Sequence, residues 1–164
     1  MRNEKKGFSL IELLVVMAII MVLGAIGLPN MLRSIMLANE TSAVQSLRTL
    51  NEAAIVYTSN YGGYPTTLTQ MGPSSTPAAT GGTIAYPGAA DLIDSRLVTG
   101  IKSGYTFNWV PGPTDALNHT VSYTITATPI YPGVSGQRTF YTDTTGIIRS
   151  EISTTATASS SPIG

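Results

Sequence analysis

The chain has 164 residues, enough for one modest domain beyond a membrane-spanning helix. Its nine basic and nine acidic side chains balance to a net charge of zero, so no basic field favours nucleic acid as a partner. The absence of cysteine excludes a structural disulfide and a cysteine-ligated metal centre.

The N-terminal part is a short charged leader followed by a long apolar run. Residues 13–28 carry no charged or strongly polar side chain, yet Glu12 lies just inside the start of the run. Each Leu, Ile, Val or Phe contributes about −0.3 to −0.6 kcal/mol to membrane insertion, and a central acid costs about 2.5–3.5 kcal/mol. Thirteen such residues between Phe8 and Leu28 therefore favour insertion despite Glu12. The acid still requires an explanation.

The apolar run begins with the sequence Gly7-Phe8-Ser9-Leu10-Ile11-Glu12-Leu13. This junction closely resembles the class III signal of type IV prepilins and type II secretion pseudopilins. The resemblance implies that a membrane peptidase cuts between Gly7 and Phe8 and methylates the new amine, so that Phe8 becomes N-methylphenylalanine. Glu12 could then pair with the Phe8 amine of its own chain or with that of a neighbouring subunit. The resemblance favours the neighbour, because that pairing sets the register of assembly. Pro29 matches the proline that loosens the helix in this family.

Two other interpretations concern the same residues. An ordinary secretory signal peptide could be cleaved near Ala25-Ile26-Gly27, but that interpretation leaves Glu12 unexplained. Alternatively, Ser9 and Glu12 form a capping box, in which the acid also complements the helix dipole. Capping is compatible with the prepilin signal, although it does not explain the Gly7-Phe8 junction.

The flanking charges predict the orientation in the membrane. Arg2, Lys5 and Lys6 precede the apolar run, and only Arg33 lies close behind it. The positive-inside rule then predicts a single-pass inner-membrane protein with a cytoplasmic N-terminus. After assembly, the resemblance implies a periplasmic or cell-surface filament.

The helix is predicted to continue past the apolar run, from residue 29 to residue 61. Pro29 removes one backbone donor and predicts a kink. Gly62-Gly63 ends the helix. From Phe8 to Asn60 a continuous helix would span roughly 80 Å, of which a bilayer needs about 30 Å. One apolar stripe at alternating spacings of four and three marks the face that packs on the rest of the protein: Ala43, Leu47, Leu50, Ala54, Tyr57 and Tyr61.

The C-terminal half is predicted to form a loop and an antiparallel β head over residues 62–152. A short helix is expected at Asp91–Val98, and Asp143 to Gly146 forms a hairpin turn in which Gly146 takes a positive φ. Residues 153–164 are rich in Ser, Thr and Ala and are predicted to be disordered. Alternation of apolar and polar residues and short links predict a meander of four strands, Tyr105–Val110, Val121–Thr128, Gln137–Thr142 and Ile147–Ile152.

The predicted fold is therefore α+β: cleaved leader 1–7, transmembrane and assembly helix 8–28, amphipathic helix 29–61, and a four-stranded sheet packed on that helix. The only histidine, His119, excludes a two-histidine metal site within one chain and is expected in a solvated turn. Asp91 and Asp94 share a helix face, where a solvated or capping role explains them better than a metal or acid–base pair. We expect no enzyme activity, cofactor or metal.

These patterns predict a structural subunit of a type IV pilus-like filament or type II secretion pseudopilus. The expected partners are like or unlike pilin subunits, a prepilin peptidase and methylase, and an inner-membrane assembly platform. The chain is compatible with a major pilin, a minor pilin and a secretion pseudopilin. The alternative is a membrane-anchored or secreted envelope enzyme, or a ligand-binding protein, with a β head.

Overall fold

The computed structural model describes residues 8–74 and 85–163. The chain forms two compact units, Met1–Ile35 and Met36–Gly164. We call the described residues of the first unit, 8–35, the anchor segment, and those of the second unit the head. One helix, α1, extends over Leu10–Tyr61 and so contributes to both.

The anchor segment is helical from Leu10 onward, and its residues 13–28 carry no charged or strongly polar side chain. Its large apolar side chains from Phe8 to Leu23 are exposed. By length and composition, α1 contains one span suited to crossing a membrane, and none of that span is buried. Within the anchor segment itself, this apolar surface is therefore uncovered.

The part of α1 within the head buries one face. The predicted stripe is confirmed, since Ala43, Leu47, Leu50, Ala54 and Tyr57 are all buried and Tyr61 packs partly buried beside them. The helix ends as predicted at Gly62, which has a φ of 84° and donates its N–H to the Thr58 carbonyl. A glycine tolerates this left-handed conformation at no steric cost.

Within the head, two short helices follow α1. A 3₁₀ helix occupies Leu68–Met71, and α2 occupies Ser95–Val98. The second is shorter than the predicted Asp91–Val98 because Asp91 has a φ of 53°, outside the helical region, and Asp94 is extended and caps the helix.

The head contains one six-stranded antiparallel sheet in sequential order. The meander is confirmed, but the predicted number of four strands is wrong. The two additional strands have two residues each, too few for alternation to be detected. The strands are β1 Ile101–Lys102, β2 Tyr105–Pro111, β3 Tyr123–Pro129, β4 Arg138–Asp143, β5 Arg149–Ile152 and β6 Ser161–Pro162.

The core lies between the sheet and the buried face of α1. Along β2, Tyr105, Phe107 and Trp109 are buried, while Thr106 and Asn108 are exposed, as the alternation predicts. The predicted hairpin turn between β4 and β5 is also present: Gly146 has a φ of 71° and donates its N–H to the Asp143 carbonyl at 2.9 Å.

The C-terminal tail, predicted to be disordered from 153 to 164, is ordered over 153–163. Thr139 Oγ1 donates to the Thr154 carbonyl at 2.6 Å and accepts the Ala156 N–H at 2.9 Å. Arg149 Nη1 donates to the Ser160 carbonyl at 3.0 Å, and Ser161 pairs with Ser150. The composition is misleading here because backbone groups of the tail bond to the sheet.

Candidate assembly site at the start of helix 1

Ser9 and Glu12 define the start of α1. The Leu13 N–H donates to the Ser9 carbonyl at 3.2 Å, which places Ser9 at the N-cap. The Glu12 carboxylate reaches back and accepts the Ser9 N–H at 2.9 Å. This is the backbone-to-carboxylate bond of a capping box, and it places a negative charge against the positive end of the helix dipole.

The surroundings of Glu12 are apolar and open. Phe8 is 87% exposed, and Phe8, Ile11, Val15 and Val16 line a shallow groove with Glu12. Among residues 8–74 and 85–163, no basic side chain forms an ion pair with this carboxylate. Within those residues, the opposing charge comes from the helix N-terminus alone.

The other two residues of the predicted site are Gly7 and Pro29. Gly7 lies outside the described residues, so cleavage between Gly7 and Phe8 stays a prediction. Pro29 lies within α1, and a kink there also stays a prediction.

The first part of the chain matches a known family. Residues 2–28 match the prokaryotic N-terminal methylation motif. The chain carries a class III prepilin signal. This signal supports a type IV pilin-like or pseudopilin protein and points to a structural subunit. No curated protein and no solved structure is significantly similar to the chain.

The prepilin signal has further implications for processing and location. It implies processing by a prepilin peptidase and assembly into pilus-like filaments. The exposed apolar helix is consistent with membrane anchoring before assembly.

The other titratable residues considered from the sequence have structural roles. His119 lies in the β2–β3 loop, with Nδ1 3.5 Å from Asp115 Oδ2. The Asp94 carboxylate accepts the Leu97 N–H at 2.8 Å and pairs with Lys102 at 3.1 Å. Asp94 therefore caps α2, which is one of the roles expected from the sequence. Within the described residues, no group of three or more His, Asp or Glu side chains could hold a metal ion.

Glu40 is a buried carboxylate that the sequence patterns did not identify. It is 6% exposed; its Oε1 accepts the N–H groups of Gln137 and Arg138 at 2.9 and 3.2 Å, and its Oε2 accepts Arg138 Nε at 2.8 Å. Burial raises the pKa of Glu40, but these donors and the Arg138 charge outweigh burial and hold the pKa below its usual value. Glu40 therefore attaches α1 to the start of β4.

Asn51 is a second buried polar residue on α1. Its Oδ1 accepts from the Tyr123 hydroxyl at 3.0 Å, and its Nδ2 donates to Thr142 Oγ1 at 3.0 Å. Helical spacing could have identified both residues, because Glu40 lies three positions before Ala43 and Asn51 lies four after Leu47. The two polar residues thus lie on the same face of α1 as the apolar stripe, and they are buried with it.

Proposed function

We propose that the chain is a structural subunit of a type IV pilus-like filament or a type II secretion pseudopilus, processed after Gly7 and assembled through its anchor segment. The observation that carries this proposal is the exposed apolar surface from Phe8 to Leu23, which lies within the prepilin signal matched over residues 2–28. The head supplies a folded domain with its own core.

The exposed surface requires an apolar environment. Burying a Val, Leu or Ile side chain is worth about 1.5–3 kcal/mol relative to leaving it in water. A bilayer covers the anchor segment before assembly. Identical helices can replace the lipid when they pack into a bundle, since van der Waals packing drives helix association where no water is present.

Glu12 supports an assembly role because a carboxylate within such a bundle needs a cation. Cleavage after Gly7 would create one in every subunit, the amine of Phe8. Glu12 lies four positions after Phe8, so its carboxylate can pair with the amine of its own helix or with that of a neighbour. Pairing with a neighbour selects one register, because removing one partner of a buried ion pair costs about 3–5 kcal/mol.

The partners and location follow from this proposal. The chain is held in the inner membrane with its N-terminus in the cytoplasm, and a prepilin peptidase removes the leader and methylates Phe8. An inner-membrane assembly platform then transfers subunits into a periplasmic or cell-surface filament. Other pilin-like subunits contact it through the anchor segment.

Cell fractionation tests the proposed function. We expect the protein in filaments released by shear, or in multi-subunit ladders after chemical crosslinking of the periplasm. In cells that lack the prepilin peptidase, it should remain in the membrane. A protein that is found only as a monomer, in the membrane or the periplasm, would overturn the proposal and favour the envelope enzyme or receptor.

A further inference from the structure

A groove of about 260 Å³ in the head carries excess positive charge. It lies between α1, β4 and the tail, and its lining includes Glu40, Arg48 and Arg138. Arg138 is paired with Glu40, whose oxygens are occupied by that guanidinium and by two backbone donors. Arg48 is exposed and forms no ion pair within the described residues. One guanidinium charge in the groove is therefore uncompensated.

The groove begins near the end of the head where α1 enters. Glu40 and Arg138, which line it, lie beside two turns at this end. Asn39 Nδ2 donates to the Ser135 carbonyl in the β3–β4 turn at 2.9 Å, and Ser42 Oγ donates to Ser103 Oγ in the β1–β2 turn at 2.9 Å. Strands alternate in direction, so the β2–β3 and β4–β5 turns lie at the opposite end, where α1 terminates.

The opposite end presents carboxylates. The β2–β3 loop is attached beside the end of α1 through the Tyr64 N–H, which donates to the Thr120 carbonyl at 2.9 Å. Asp115 in this loop is exposed, and its Oδ1 accepts the N–H groups of Leu117 and His119 at 2.9 and 2.8 Å. These donors, above all the His119 N–H, lower the pKa of Asp115, so its carboxylate is ionised at neutral pH as an ordinary aspartate is.

Asp143 lies at the same end but is less exposed to solvent than Asp115. Its Oδ1 accepts the N–H and hydroxyl of Thr145 at 2.9 and 2.6 Å, and its Oδ2 accepts the Tyr141 hydroxyl at 3.4 Å. Asp115 Oδ2 has a comparable neighbour, His119 Nδ1 at 3.5 Å, but Asp115 is exposed whereas Asp143 is half-buried. Asp115 is therefore the better candidate for a contact with another molecule.

We propose that the groove containing Arg48 binds the Asp115 carboxylate of a second copy of this chain, so that the β2–β3 end of one head packs beside the groove of the next. The inference rests on the proposed filament function. Contacts between two different surfaces of identical subunits generate open helical assemblies when they do not close into a ring. A guanidinium–carboxylate contact adds directional, charge-assisted hydrogen bonds that fix the register of the heads.

The test is a charge exchange in the full chain, measured as the amount of protein in filaments released by shear or in crosslinked ladders. Arg48→Glu and Asp115→Lys should each lower assembly by roughly tenfold or more, because each places like charges in contact. The double variant should recover most of the assembly of the parent. Arg96→Glu is the matched control, since Arg96 is an exposed arginine of α2 outside the groove, and it should assemble like the parent.

A second variant at Asp115 separates the effect of losing the charge from any effect on the structure of the β2–β3 loop. Asp115→Asn retains the acceptor for the Leu117 and His119 N–H groups, so it should fold like the parent and assemble less well. Normal assembly of Arg48→Glu, or failure of the double variant to recover, would overturn the inference while the filament function stands. A parent chain that is absent from filaments and ladders would overturn both.

Discussion

The two parts of helix α1 place the same residue types in opposite environments. In the anchor segment Leu23 is 65% exposed, whereas in the head Leu47 and Leu50 are completely buried. The two sequences differ both in apolar content and in the pattern of their apolar residues. Residues 13–28 are apolar on all sides of the helix, and residues 43–61 carry a single apolar stripe.

The pattern of apolar residues indicates which kind of surface covers each part of α1. A stripe needs one apolar surface, and the sheet of the same chain supplies it. A helix that is apolar on all sides needs cover on all sides, which the proposed function assigns to lipid before assembly and to other subunits afterwards. Glu12 is the exception within that apolar part, and the proposed function assigns it to subunit register.

The largest effect is expected from blocking removal of the leader, residues 1–7. Gly7→Val should leave the leader attached and abolish assembly almost completely, because the junction recognised by the peptidase is lost. Immunoblotting of membranes should show only the longer precursor. Gly24→Ala is the control, since a Cβ at Gly24 meets nothing within 4 Å, and it should be processed normally.

The next effect separates insertion from assembly. Glu12→Ala should ease insertion by up to about 3 kcal/mol and retain leader cleavage, yet assembly should fall sharply because the Phe8 amine loses its counter-charge. Glu12→Asp should assemble better than Glu12→Gln. The measurement compares processed protein in membranes with protein in filaments. If Glu12→Ala assembles as well as the parent, Glu12 is only a helix cap.

In the head, packing of the buried stripe on the sheet should contribute strongly to the free energy of unfolding. A truncated chain beginning at Pro29 should fold as a monomer with cooperative thermal unfolding, because it retains the stripe and the sheet. Leu50→Ala should lower its free energy of unfolding by about 2–5 kcal/mol. Ile55→Ala, at a position 59% exposed on the same helix, should change it by no more than about 0.5 kcal/mol. Equal effects would contradict packing of this face on the sheet.

A smaller, pH-dependent effect is expected at Glu40. Its folded-state pKa lies below the usual value of 4.5, so its stabilisation is complete above that value and is lost as the pH falls through the folded-state pKa. Glu40→Gln should cost about 1 kcal/mol at pH 7, because hydrogen bonds to a charged group are stronger than neutral ones. The difference from the parent should shrink as the pH is lowered below 4.5, as measured by urea unfolding. A constant difference would argue against this role.

The sequence predicted the elements that depend on local pattern. The period of α1 identified the stripe from Ala43 to Tyr57, and alternation identified the four longer strands. The tail and the two-residue strands were missed because their order depends on distant partners, such as Thr139 for Ala156. Glu40 was missed for a different reason: helical spacing places it on the same face as the stripe, but the donors that allow a carboxylate to be buried there lie 97 and 98 residues away. The candidate assembly site was found because its residues are adjacent in sequence.

The most direct test of the proposed role of the anchor segment is the intact mass of the protein extracted from filaments released by shear or from crosslinked periplasmic assemblies. We expect a chain that starts at Phe8 and carries one additional methyl group, in assemblies that contain many copies. A chain that retains residues 1–7, or one cleaved near residue 27, would contradict the proposed maturation and assembly.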